Sequence, residues 1–209
     1  AALRRPIVLA KSLSTLDVLS DGRLDIGVGV GWQREEYEAA GLDFGERGRL
    51  LDECLELCTT VWRETPATLN VAGSVIERLH QMPAPIQEGG VPIWISGRTT
   101  GRVARRLARF GTGWIPWGDD ALDLATSIPR MRQLVVEAGG DPTGLRVVGN
   151  LPPANALDGD VDAVMTAAES SIASGATDLV ARIPVPDRAA VDDVYGAWAE
   201  AFARSVGRR

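Results

Sequence analysis

Two stretches of this sequence combine residue types that point to a ligand. The first is Ser96-Gly97-Arg98-Thr99-Thr100, which follows the apolar run Ile93-Trp94-Ile95 and precedes a basic, helix-prone segment. A strand that ends in small and hydroxyl residues and passes at once into a helix leaves backbone amides pointing out of the helix N-terminus. With the helix dipole, two hydroxyls and a guanidinium, those amides would cradle an anion. The same residues would also make an ordinary cap, with Thr99 or Thr100 at the N-cap and Arg98 in solvent. Spacing alone leaves both readings open. Arg102, Arg105, Arg106 and Arg109 make the following helix basic. An exposed face is expected for most of them, with Arg102, one turn from Arg98, adding to the anion field.

The second stretch is Leu24-Asp25-Ile26-Gly27-Val28-Gly29-Val30-Gly31-Trp32, followed by Gln33-Arg34-Glu35-Glu36-Tyr37. It reads as a buried strand feeding a loop and then a short helix whose first turn carries Glu35 and Glu36. Glycine is costly in a strand, so three in alternation imply either tight packing of a barrel wall or close backbone approach by a flat ligand. The spacing is not the GxGxxG of a dinucleotide fingerprint. Both stretches fall at the C-terminal ends of predicted parallel strands, where barrels and open α/β sheets bind ligands. A glycine surface for a flat ring beside an anion cradle describes a phosphorylated, ring-bearing cofactor.

The elements that must position these residues follow from periodicity. The chain opens in a helix with Leu9, Leu13, Leu16 and Leu19 near helical spacing, ended by Asp21-Gly22. The strand Leu24–Val30 comes next, then a helix over Gly45–Trp62. Residues 64–91 break the alternation: Thr68–Val71 and Val75–Leu79 can pair as a hairpin, and Met82–Gln87 is a proline-stiffened connector. Alternation then resumes with strand Val91–Ser96, helix Thr99–Phe110, strand Gly113–Trp117, helix Ala121–Ala138 and strand Leu145–Asn150. A helix capped by Asp158 or Asp160 and running to Ser174, strand Thr177–Ile183 and helix Arg188–Val206 complete the chain. Five parallel βα units with a helix in front fit a five-stranded open sheet, or a (β/α)8 barrel lacking its opening strands.

Composition bounds the rest. The 209 residues are 45% hydrophobic and 24% charged, enough for one globular domain without disulfides or metals. The net charge of −6 argues against non-specific nucleic-acid binding, and no apolar run reaches membrane-spanning length. A cytoplasmic protein is expected. Cys54 and Cys58, four apart on one helix face, read as buried packing, and with a single histidine no zinc site is expected. His80 lies in the proline-rich insertion, where a surface role is expected. Trp94, Trp114 and Trp117 fall on or beside strand ends, as core residues or as walls of a substrate pocket.

In order along the chain, Leu16-Asp17-Val18-Leu19-Ser20-Asp21-Gly22-Arg23-Leu24, the Gly27–Trp32 run, Glu35-Glu36-Tyr37, Glu46-Arg47-Gly48-Arg49 with Asp52-Glu53, Pro83-x-Pro85-x-Gln87, Pro92–Gly97 and Gly111-Thr112-Gly113-Trp114 resemble bacterial luciferase-like monooxygenases. The likeness is to the actinobacterial branch that uses the deazaflavin coenzyme F-420; FMN serves elsewhere in the superfamily. The resemblance implies a single luciferase-like domain over 1–209 of (β/α)8 TIM-barrel type, incomplete at the N-terminus, with an insertion at about 64–91. It also implies a homodimer or other homo-oligomer transferring hydride between F-420 and a small-molecule substrate. By position, Gly29 and Gly31 would lie near the ring or its ribityl chain, and Ser96, Gly97, Arg98, Thr99 and Thr100 would hold the phosphate.

Two departures bear on activity. The chain opens in what matches the helix after the third barrel strand. Trp32 also stands where sugar-phosphate dehydrogenases of the family carry a glutamate proton donor, and an indole supplies no proton at neutral pH. Trp32 and Trp117 are then candidates for the substrate pocket, and no catalytic acid or base is assigned. The alternatives to an F-420 oxidoreductase are an FMN-dependent monooxygenase and a non-catalytic, cofactor-binding or dimerising remnant.

Overall fold

The computed structural model describes residues 1–71, 74–151, 161–182 and 191–206. The first helix, α1 (Pro6–Leu19), starts with proline in its first turn, where a missing N–H costs nothing. It stops at Ser20-Asp21-Gly22, where Gly22 takes a positive φ and its N–H donates to the Asp17 carbonyl at 2.9 Å. After β1 (Ile26–Val28) come α2 (Arg34–Ala39), a 3-10 turn at Phe44–Glu46 and α3 (Arg47–Arg63). The hairpin β2 (Ala67–Val71) and β3 (Ser74–Leu79) precedes β4 (Ile93–Gly97), α4 (Gly101–Phe110) and β5 (Gly113–Pro116). The remainder is α5 (Leu124–Glu137), β6 (Arg146–Asn150), α6 (Val161–Ala173), β7 (Asp178–Val180) and α7 (Val191–Val206).

The sheet order is β1-β4-β5-β6-β7, all parallel, and the hairpin forms a separate two-stranded sheet. Strands follow one another across the sheet in chain order. A doubly wound sheet would reverse at a switch point, so this is the order of a barrel wall. The sheet is also curled. Asp25 precedes β1 and Arg146 opens β6, three strand spacings away, about 14 Å in a flat sheet. Their side chains nevertheless meet at 3.5 Å, while the same guanidinium bonds Asp178 at the start of β7 and lies 4.6 Å from the Trp94 ring centroid. Burial would raise the Asp178 carboxyl, but hydrogen bonds from Arg146 and Thr177 outweigh it and hold it below the usual range.

The core forms between this sheet and α3, α4 and α5, with Leu51, Leu55, Ile93, Ile95, Trp114 and Met131 among its fully buried members. Cys54 and Cys58 are free and buried there, as the helical spacing predicts. A hydrogen bond with Cys54, reinforced by burial, pushes the Cys58 thiol far above its ordinary value. Among the described residues no helix is long and apolar enough to cross a membrane.

Several boundaries differ from expectation. The predicted strand Leu24–Val30 is in the ladder only over Ile26–Val28. The helix expected at Ala121–Ala138 begins as a 3-10 turn, Gly118–Ala121, because Asp123 leaves helical geometry to cap α5 through Thr126 N–H at 3.2 Å. Arg106 is buried rather than on an exposed face. The expected cap at Asp158 or Asp160, the strand end at Ile183 and the helix start at Arg188 lie outside the described residues.

Segment 64–92 joins the end of α3 to the start of β4, and so lies at the end of the sheet opposite Gly97. It is fixed there by polar groups. Asp17 is fully buried, and its carboxylate accepts from Ile86 N–H at 2.7 Å, Gln87 N–H at 3.1 Å and Gln87 Nε2 at 2.7 Å. The Gln87 amide also donates to the Leu24 carbonyl at 2.7 Å, just before β1. One turn earlier in α1, the Ser14 hydroxyl accepts from Gln81 Nε2 at 2.9 Å. His80 is exposed at this same end. Replacing Asp17 with Ala would leave three donors without their acceptor, two of them backbone amides, at a cost of about 3 kcal/mol or more. Asp17→Ala is therefore expected to lower the thermal midpoint by several degrees; an unchanged melting curve would contradict this role for the carboxylate.

Candidate functional site

At the other end of the strands, the ends of β1 and β4, the first two turns of α3 and one side of α4 down to Phe110 line an open cleft of about 970 Å³. Its lining includes Gly29, Gly31, Trp32, Ser96, Gly97, Arg98, Thr100 and Trp117, so the two stretches distinguished by residue type share one cavity. Thr99 is the exception. It is absent from the lining, and its amide donates to the Asp120 carboxylate at 2.7 Å.

The three strand glycines have different reasons. At Gly27 a methyl would sit 3.1 Å from Ile115 Cδ1, so packing within the sheet keeps that position small. Gly31 has φ +76°, the left-handed region a glycine occupies cheaply, and Tyr37 closes behind it by donating its hydroxyl to the Val30 carbonyl at 2.6 Å. Burial raises the Tyr37 phenol above its ordinary value, so it stays a donor at neutral pH. Gly29 is the informative one. An added methyl there would meet Ser96 Cβ at 3.6 Å, ordinary contact, so the packing of this chain does not require glycine. Gly97 is required by packing, since a Cβ would stand 2.7 Å from Val103.

The start of α4 is capped by Thr100, whose hydroxyl accepts from Val103 N–H at 3.4 Å. Among the described residues no acceptor reaches the amides of Gly101 and Arg102, nor the Ser96 hydroxyl beside them. Arg98 is not free in solvent. It pairs with Asp119 of the turn after β5 and lies against the backbone of Gly118, where a Cβ would be 3.1 Å from its Nε. Trp32 and Trp117 are 79% and 60% exposed, and both present their indoles at the cleft, unlike the buried Trp94 and Trp114.

Charge distinguishes this cavity from the rest of an acidic protein. Seven of the lining residues are arginines and two, Asp52 and Glu53, are carboxylates. Sequence reading missed how the far wall is built. Arg106 of α4 reaches Asp52 of α3 through Nε at 2.5 Å and Nη2 at 3.3 Å, and also donates to the Gly48 carbonyl at 3.1 Å. A two-point pair of this kind, its guanidinium buried and its carboxylate half-exposed, ties α3 to α4 across the cleft wall. The signal available was Asp52, half-buried at the edge of the polar face of α3, but its partner is 54 residues away. Nearer the mouth, Phe44 is sandwiched between Arg34 and Arg47, with guanidinium carbons 4.7 and 4.0 Å from its centroid.

Comparison with known proteins places this geometry. The family model for luciferase-like monooxygenases matches residues 1–207. An uncharacterized protein of Mycobacterium tuberculosis is 31% identical over 186 residues, covering 88% of this chain and 59% of its own length. The F-420-dependent glucose-6-phosphate dehydrogenase of Nocardia farcinica is 30% identical over 140 residues, covering 64% of this chain and 41% of its own length. The chain thus spans only about half the length of the curated relatives it matches. Among solved structures, an F-420-dependent secondary alcohol dehydrogenase in complex with an F-420–acetone adduct superposes with a TM-score of 0.73. Its sequence identity is 16%, over 95% of this chain and 75% of that one, a likeness of fold. The curled parallel sheet in barrel order, the ordered motifs and the match along almost the entire sequence agree: the chain belongs to the luciferase-like monooxygenase family.

Proposed function

We propose that the cleft at the strand ends seats the deazaflavin cofactor F-420, and that the loaded protein exchanges hydride with a small organic substrate. The observation that carries this reading is Gly29. Its backbone faces the cleft, its own packing would accept a methyl group, and it lies beside Ser96 and the α4 N-terminus. A flat ring against Gly29 would gain van der Waals contact with bare backbone. Its phosphate-bearing chain would then reach the Ser96 hydroxyl, the amides of Gly101 and Arg102, and the guanidiniums of Arg98 and Arg102.

The cofactor supplies the hydride chemistry; the residues of this chain bind it, orient it and limit water around it. Trp32 and Trp117 flank the cleft as apolar, slab-like walls suited to a small organic substrate. Trp32 cannot exchange a proton at neutral pH, which argues against sugar-phosphate oxidation by a proton donor at that position. Asp52 and Glu53, the acidic groups of the lining, are held by Arg106 and Arg49 and act here as wall-forming groups.

Fluorescence titration of the chain with F-420 and with FMN tests the reading. Saturable F-420 binding is expected, weakened about tenfold by Arg98→Ala through loss of a charge-assisted contact. Gly29→Ala separates ligand approach from folding: a melting temperature within about a degree or two of the parent is expected, together with about tenfold weaker cofactor binding from steric exclusion of the ring. Failure of the folded chain to bind either cofactor, or binding indifferent to both substitutions, would refute the proposed seat.

A further inference from the structure

Tryptophan serves two purposes in this chain. Trp62 and Trp114 are buried, and their indole N–H groups donate to the carbonyls of Ala10 and Gly97 at 3.3 and 2.9 Å. Trp32 and Trp117 stand exposed at the cleft, and among the described residues their indole N–H groups meet no acceptor. Each is placed by a glycine in the left-handed region: Gly31 (φ +76°) precedes Trp32, and Gly118 (φ +66°) follows Trp117. Arg98 lies against Gly118 and pairs with Asp119, which fixes the second of these turns. One exposed indole would be unremarkable, but two at the mouth of one cavity make an apolar site.

The strands leading to these turns, β1 and β5, both pair with β4 and flank it. Two strand spacings separate them by about 9–10 Å. A flat ring in contact on both faces needs about 7–8 Å between its walls. Other apolar side chains are few: Val30 and Val103 are the aliphatic members of the lining, and Phe110 lies at the far end of α4. A pocket for an aliphatic chain would present branched aliphatic groups, whereas this one presents π faces.

We infer that the substrate is a planar aromatic compound stacked on Trp32 and Trp117, carrying an oxygen that accepts from an indole N–H. The inference rests on the cleft being the cofactor seat and names the substrate class that these two side chains select. Stacking on an indole adds attraction beyond the area buried, and a puckered, saturated ring touches each face with fewer atoms. An indole N–H is a donor only, so it favours an acceptor on the ligand. Indoles also attract organic cations, but the arginine-rich lining opposes a positive charge here.

The test measures, by calorimetric titration of the F-420-saturated chain, the affinities of β-naphthol and β-decalol. The two share a carbon skeleton and a hydroxyl, and the decalol rings are saturated and puckered. The parent is expected to bind the naphthol about tenfold more tightly. Trp32→Leu and Trp117→Leu keep an apolar side chain at an exposed position and remove the π face. Each is expected to weaken the naphthol about fivefold and the decalol about twofold or less. F-420 affinity, titrated first in all three proteins, is expected to change by about twofold or less. Equal or undetectable affinity for the two probes in the parent, or a preference that survives both substitutions, overturns the inference and leaves the cofactor seat intact. Loss of F-420 binding in the tryptophan variants alone assigns the indoles to the cofactor and likewise overturns the inference. Absence of F-420 binding by the parent overturns the seat itself and the inference with it.

Discussion

A buried carboxylate needs its lone pairs met, and Asp17 meets them with two backbone amides and a side-chain amide drawn from the chain seventy residues on. That single requirement joins α1 to the proline-stiffened connector, and Gln87 extends the joint to the residue before β1. The C-terminal turn of α1, the connector and the residue before β1 are thereby held together at one end of the sheet. β1 and β4 pair in parallel with Val28 opposite Ile95, a register that brings Gly29 level with Ser96. The convergence of these two residues on one cavity follows from that register.

The cleft end is built on different physics. Its walls are held by ion pairs, among which Arg106–Asp52 has its guanidinium buried and its carboxylate partly exposed. Breaking a pair of that kind leaves an uncompensated charge and costs far more than breaking an exposed one. The exposed pairs, Arg98–Asp119 and Arg109–Glu56 among them, are weak and easily exchanged for a ligand's groups. A rigid rear wall and a readily rearranged mouth suit a site that must keep its width while admitting an anionic ligand.

Much of this was legible in the sequence. Alternating hydrophobic periodicity located the five sheet strands and the helices between them, since those elements bury one continuous face. Asp21-Gly22 marked the end of α1, because few residue pairs accept the left-handed conformations found there. The two chemically suggestive stretches do share a cavity. What the sequence concealed were contacts of long separation: Asp17 with Gln87, Arg106 with Asp52, Arg98 with Asp119. No local pattern encodes the partner of a charged residue, so Arg106 read as part of an exposed face, and Arg98 as an anion ligand or a solvated cation with no carboxylate partner named. The glycine alternation was ambiguous for a related reason, because only the folded neighbours reveal that Gly31 takes a left-handed backbone and Gly27 packs tightly against Ile115, while Gly29 has room for a methyl group.

The account stands on the location of the cofactor, and amide chemical-shift mapping by NMR during titration with F-420 tests that location directly. The largest changes are expected at Gly29 through Trp32 and at Ser96 through Arg102, with the anchored segment from Gln81 to Gln87 unmoved. Saturable binding with its shifts centred on that anchored end, or on the hairpin, would contradict the account.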